Sequence, residues 1–96
     1  MYARFFTFKA GPDRRPEVET LADQVFEFVK SQQGFISIHF VINEDQNEFG
    51  SFSLWESKDD AVAAGESIRS EIGGTLQNLV SEAPSIEVYE VYKPGE

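Results

Sequence analysis

Between Phe35 and Glu56 the chain runs through two stretches of two-residue alternation separated by a short polar break. The first puts Ile36, Ile38, Phe40 and Ile42 on one side and Phe35, Ser37, His39 and Val41 on the other. The second, Glu48 to Glu56, sets Phe49, Ser51, Ser53 and Trp55 against Gly50, Phe52 and Leu54. Side chains alternate across a strand, so each stretch reads as a strand facing two different surroundings. Asn43 to Asn47 reads as a hairpin loop, and so short a connection requires antiparallel strands. A hairpin of this kind commits the rest of the chain to building a sheet around it.

The flanks supply the missing pieces. Tyr2 to Lys9 is dense in phenylalanine and stops at the turn cluster Gly11-Pro12-Asp13, which predicts a first strand. Pro16 suits the first turn of a helix, and Val18, Leu21, Ala22, Val25, Phe28 and Val29 follow the three-and-four spacing of one buried face, with an end near Ser31 before Gly34. Ser57 followed three residues later by Asp60 resembles a capping box, and the stripe Ala61, Gly65, Ile68, Ile72, Leu76, Leu79 and Val80 predicts a second helix behind it. Gly73-Gly74 costs that helix roughly 1 kcal/mol per glycine relative to alanine, which predicts a kink or a break there. Pro84 ends the helical run, and Ser85 to Tyr92 makes the last strand.

The order β-α-β-β-α-β defines an α+β, ferredoxin-like fold with a four-stranded antiparallel sheet and two helices on one face. Residues 1–96 are expected to form a single such domain, since this length holds one core. Two helices cover only one face of the sheet, and the Ile36, Ile38, Phe40, Ile42 side is the natural one for them. Strand parity then assigns Phe35, Val41, Phe49 and Trp55 to the opposite face, together with Phe6 and Phe8 of the first strand. At roughly 150–250 Å² per aromatic side chain, that face even half exposed lies near the top of what a monomer tolerates. A symmetric homodimer through the sheet face, closing a dimeric α/β barrel, is therefore expected, with the barrel interior as a candidate site.

Charge and composition narrow the functions available. A net charge of −9 with scattered basic residues argues against nucleic acid, whose affinity rests on neutralising phosphates, and against an anionic membrane surface. The absence of cysteine removes disulfides, thiolate metal sites and cysteine nucleophiles. No signal-peptide pattern or bilayer-length apolar run is present, so a cytoplasmic location is expected. There is no dinucleotide fingerprint or phosphate loop, and the acidic pairs Glu44-Asp45 and Asp59-Asp60 fit a loop and a helix N-terminus rather than a metal cage. No metal or cofactor is expected.

Three stretches carry a family resemblance: Gln33-Gly34-Phe35 opening the second strand, Ser51-Phe52-Ser53-Leu54-Trp55-Glu56-Ser57 closing the third, and Ser85-Ile86-Glu87-Val88-Tyr89-Glu90-Val91-Tyr92. Together they resemble the antibiotic biosynthesis monooxygenase family, most specifically in the tryptophan-glutamate-serine before an alanine-rich helix. The resemblance implies a dimeric α/β barrel with a ligand cavity between sheet and helices. It also implies oxidation of polycyclic aromatic or quinol-like substrates by dioxygen without a cofactor, although many members have no known activity. Quinone-forming members place an asparagine shortly before the tryptophan, where this chain has Ser51 and Ser53. Haem-degrading members need a histidine on the second helix, and none is present here.

Parity groups His39, the single histidine, with Trp55, where it is a candidate base toward a phenolic substrate; a hydrogen-bonded strand histidine fits the same pattern. Arg4 shares a strand face with Phe6 and Phe8 and is a candidate for stabilising an enolate or binding an anionic group, with salt bridging to a carboxylate as the alternative. Trp55, Phe35 and Phe49 offer aromatic walls for a flat substrate or, equally, packing surface. Ser51 and Ser53 are candidate orienting donors. These residues define the expected reading: a cofactor-independent monooxygenase for a small aromatic or phenolic compound, with His39 and Arg4 catalytic. Two readings stand beside it on the same fold: a noncatalytic small-molecule-binding or dimerisation module, and a proton-transfer enzyme acting through His39.

Overall fold

The structure, a computed structural model, describes residues 1–95. Strand β1 (Tyr2–Lys9) leads to α1 (Arg15–Val29), β2 (Phe35–Asn43), β3 (Glu48–Trp55), α2 (Lys58–Leu79) and β4 (Ser85–Glu90). All strand pairs are antiparallel and the sheet order is β2-β3-β1-β4, so the first strand lies inside the sheet and the second and fourth form its edges. This is the ferredoxin-like β-α-β-β-α-β arrangement expected from the sequence.

Local chemistry explains where the elements begin and end. Pro16 occupies the first turn of α1, and the buried residues Val18, Leu21, Val25 and Val29 recur on one face. The β2–β3 connection is a single 3-10 turn, Glu44–Gln46, closed by Asn47 in the left-handed region (φ 50°), a conformation asparagine adopts more readily than most residues. Ser57 caps α2, its Oγ accepting from the Asp60 backbone N–H at 3.1 Å.

Helix α2 runs unbroken through Gly73 and Gly74 rather than dividing there into two shorter helices. Ile68, Ile72 and Leu76, on either side of the glycines, all pack against the buried core, and this tertiary packing outweighs the local propensity cost.

The core lies between the helices and one sheet face. Leu21, Val25 and Val29 of α1 meet Ala61, Ala64 and Leu79 of α2 over Trp55, while Val18 packs with Phe8, Ala10 and Phe49. Trp55 and Val29 are the largest side chains fully withdrawn from solvent. Each such burial contributes about 1.5–3 kcal/mol relative to exposure.

The pairing register corrects the face assignment made from parity. Phe40 lies opposite Ser51 and Ile38 opposite Ser53, while Arg4, Phe6 and Phe8 oppose Ser53, Ser51 and Phe49. Directly opposed residues point to the same side of a sheet. The Trp55 side of β3 and the Phe6, Phe8 side of β1 therefore join the Ile38, Phe40 side beneath the helices. Phe35 joins them too, because the pairing shifts register between Phe35 and Ser37 and so breaks the alternation. Ile36, expected under the helices, is exposed.

The face left open is aromatic all the same, with different residues. His39 stacks on Phe52 (4.9 Å between centroids), Phe52 on Phe5 (5.9 Å), and Phe5 meets Tyr89 edge-on (5.7 Å). One residue from each strand thus forms a continuous ribbon across the sheet.

Candidate functional site

Between the sheet and the two helices lies a cavity of about 470 Å³, within the range of small-molecule sites. Phe6 and Phe8 of β1 and Phe40 of β2 line it from the sheet, and Ile68, Ile72 and Leu76 of α2 close it from above. Two cations enter this apolar surface: Arg4 from β1 and Arg69 from α2.

Arg4 is only 7% exposed. Its guanidinium carbon lies 5.6 Å from the centroid of the Phe6 ring, a cation–π contact. It reaches this place because α2 carries no side chain at Gly65: a Cβ there would stand 2.9 Å from Arg4 Nε. Burial lowers the pKa of Arg4 from its usual value, and the charge of Arg69 pushes the same way. Arginine remains charged at any ordinary pH, so the shift marks a cation held in an unfavourable place.

Among the described residues neither arginine has a carboxylate partner. The ion pairs present are Arg14 with Glu17, Arg15 with Glu19 and Glu44, and Lys30 with Glu27, none of which involves Arg4 or Arg69. Glu19 does reach the cavity wall, where its carboxylate accepts from Arg15 Nε at 3.2 Å. The salt-bridged alternative for Arg4 is therefore not what the structure adopts.

The other sequence candidates divide into three groups. Ser51 and Phe49 line the cavity with Arg4. Trp55, Ser53 and Phe35 stand on the same face but pack into the core: Trp55 is fully buried, donates from Nε1 to Ser53 Oγ at 2.9 Å, and meets the Phe35 ring edge-on at 5.6 Å. His39 is on the open face with Phe52, across the sheet from Arg4. A ligand touching Arg4 in the cavity does not touch His39 of the same chain.

Sequence reasoning missed Arg69 and the role of Gly65. Both sit on α2 in the row Gly65, Arg69, Gly73, spaced by four and hence on one helix face. An arginine set between two glycines on a face that otherwise carries Ile68 and Ile72 was the available signal.

A family model described as antibiotic biosynthesis monooxygenase matches residues 1–67, which span β1 through the first half of α2. The chain belongs to the antibiotic biosynthesis monooxygenase family. No curated protein sequence matches it. Among solved structures, this family member is similar to the NE2512 protein of unknown function from Nitrosomonas europaea, at 17% identity and TM-score 0.83 over 99% of this chain and 92% of that one. Rv0793 from Mycobacterium tuberculosis is similar at 17% identity and TM-score 0.81, over 99% and 98% of the two chains. SnoaB from Streptomyces nogalater, a cofactor-independent oxygenase solved as a mutant, matches at 14% identity and TM-score 0.79, over 99% and 97%. At these identities the likeness establishes the fold, and chemistry must be argued from the site. Among the described residues no helix is long and apolar enough to cross a membrane, and no group of three or more His, Asp or Glu is placed to hold a metal ion.

Proposed function

We propose that this family member is a cofactor-independent monooxygenase acting on a small aromatic, phenolic or quinol compound bound between sheet and helices. The observation that carries the reading is the apolar cavity with two guanidiniums, neither of which has a carboxylate partner among the described residues. Oxygenation without a cofactor requires the substrate itself to reduce dioxygen, and only an electron-rich, deprotonated substrate does so readily. Positive charge set against an apolar wall, with Arg4 itself buried, favours that deprotonated form.

In this scheme Arg4 holds the developing enolate or phenolate, Ser51 orients it, and Phe49 with Phe6 flanks the ring. Trp55, Ser53 and Phe35 support that wall from behind. His39 serves as base only for a ligand on the open face, such as one enclosed between two sheets. The protein works as a single domain in the cytoplasm and pairs with a second copy through the ribbon of Phe5, Phe52 and Tyr89, closing the barrel.

Oxygen consumption with a panel of quinols and polycyclic phenols tests the reading, with Arg4→Met and His39→Ala as separate variants. Uptake lost in Arg4→Met and retained in His39→Ala is the expected pattern. Absence of uptake across the panel leaves the second reading, a noncatalytic binding or dimerisation module. The aromatic ribbon favours that reading, because it accounts for the exposed side chains without any chemistry.

A further inference from the structure

The electrostatics of the cavity specify more than an aromatic ligand. We propose that Arg4 and Arg69 form a subsite for a permanently ionised carboxylate on an otherwise apolar ligand. This rests on the reading of the cavity as a ligand site, and it names the class of molecule that fits there.

Two like charges face one apolar space, on a chain that carries seventeen acidic residues against eight basic ones. Arg4 rises from a strand inside the sheet, and Arg69 comes from the helix above it, one turn beyond Gly65. With so many carboxylates available, a purely structural arginine would find one, as Arg14 and Arg15 do. Within the folded chain Arg4 has instead the Phe6 ring and the gap at Gly65. A glycine at this position leaves room for a guanidinium fork, and a fork offers the planar paired donors that a carboxylate accepts.

Charge balance separates a carboxylate from a neutral phenol. A neutral phenol leaves the buried Arg4 uncompensated, whereas Arg69 on the same wall is exposed to solvent and screened by it; phenolate formation compensates Arg4. A ligand that brings a fixed carboxylate compensates one before any reaction, leaving the second for negative charge that develops later. Most of the remaining wall, including Phe6, Phe40, Ile68 and Leu76, suits an apolar body.

The test is equilibrium binding under anaerobic conditions, which separates binding from turnover. The probes are 2-naphthoate, the uncharged 2-naphthamide of matching shape, and decanoate. We expect 2-naphthoate to bind at least tenfold tighter than 2-naphthamide, and expect Arg4→Met and Arg69→Gln each to reduce that preference at least fivefold. Arg4→Lys, which keeps the charge without the fork, should retain part of it. Decanoate binding with the same arginine dependence also upholds the carboxylate subsite. Equal affinity for the acid and the amide, no saturable binding of either acid, or a preference unchanged in both variants overturns the inference. Circular dichroism on each variant establishes that the fold is intact. Charge-dependent binding with no oxygen uptake removes the oxygenase reading and keeps this one; oxygen uptake without charge preference does the reverse.

Discussion

The buried contact between Trp55 and Ser53 permits a quantitative test of the wall beside the cavity. Trp55 is fully buried, Ser53 is 3% exposed, and the indole N–H donates to the serine hydroxyl at 2.9 Å. Ser53→Ala removes the acceptor and strands the indole N–H, at a cost of about 1–3 kcal/mol. Trp55→Phe strands the hydroxyl instead and removes part of the ring, so it costs about the same plus the lost packing. In the double variant neither group is left stranded. Its destabilisation should therefore fall short of the sum of the two single changes by about 1–2 kcal/mol. Urea unfolding at one fixed protein concentration measures all four proteins, since self-association would otherwise shift the midpoints. Additivity within about 0.5 kcal/mol would show that the two side chains do not act as a pair, and the account of Trp55 as a hydrogen-bonded core residue would fall.

Three further outcomes follow from the same structure. Arg4→Met replaces a buried, unpaired cation by an apolar side chain and should stabilise the ligand-free protein by about 1 kcal/mol after loss of the contact with Phe6; a thermal midpoint lower than that of the parent would contradict this. Gly65→Ala adds about 1 kcal/mol of helix propensity while displacing the Arg4 guanidinium, so unfolding should show near-parent stability and titration should show 2-naphthoate affinity reduced at least fivefold. Phe52→Asp buries a charge in any sheet-to-sheet interface, so light scattering should find the parent dimeric and the variant monomeric; a dimer unaffected by this change would place the interface elsewhere.

Much of this molecule was legible in its residues because the relevant signals are local. The alternation in β2 and β3, the apolar stripe of α1, Pro16 at its first turn and Ser57 at the α2 cap each depend on neighbours a few positions away. The tryptophan-glutamate-serine run also pointed to the family that residues 1–67 match. The candidate site was less legible. Arg4, Ser51 and Phe49 were drawn from the sequence and all line the cavity, whereas Arg69 was absent from that set, and His39, rightly placed away from the helices, was wrongly grouped there with Trp55.

By itself, then, the sequence determined the element order, the helix starts at Pro16 and Ser57 and most of the strand alternation, because spacing within an element states which residues share a side. It carried no statement of how the sides of neighbouring strands correspond. That depends on pairing register, and a one-residue shift moves every side chain to the other face. The shift between Phe35 and Ser37 broke the phase of β2, and the pairing of Phe40 with Ser51 put Trp55 under the helices. The continuity of α2 through Gly73-Gly74 was likewise decided by packing of Ile72 and Leu76 rather than by local propensity. Only the folded chain brings Arg4 of the first strand and Arg69 of the second helix to one cavity, since residues 65 positions apart meet through topology and not through any local pattern.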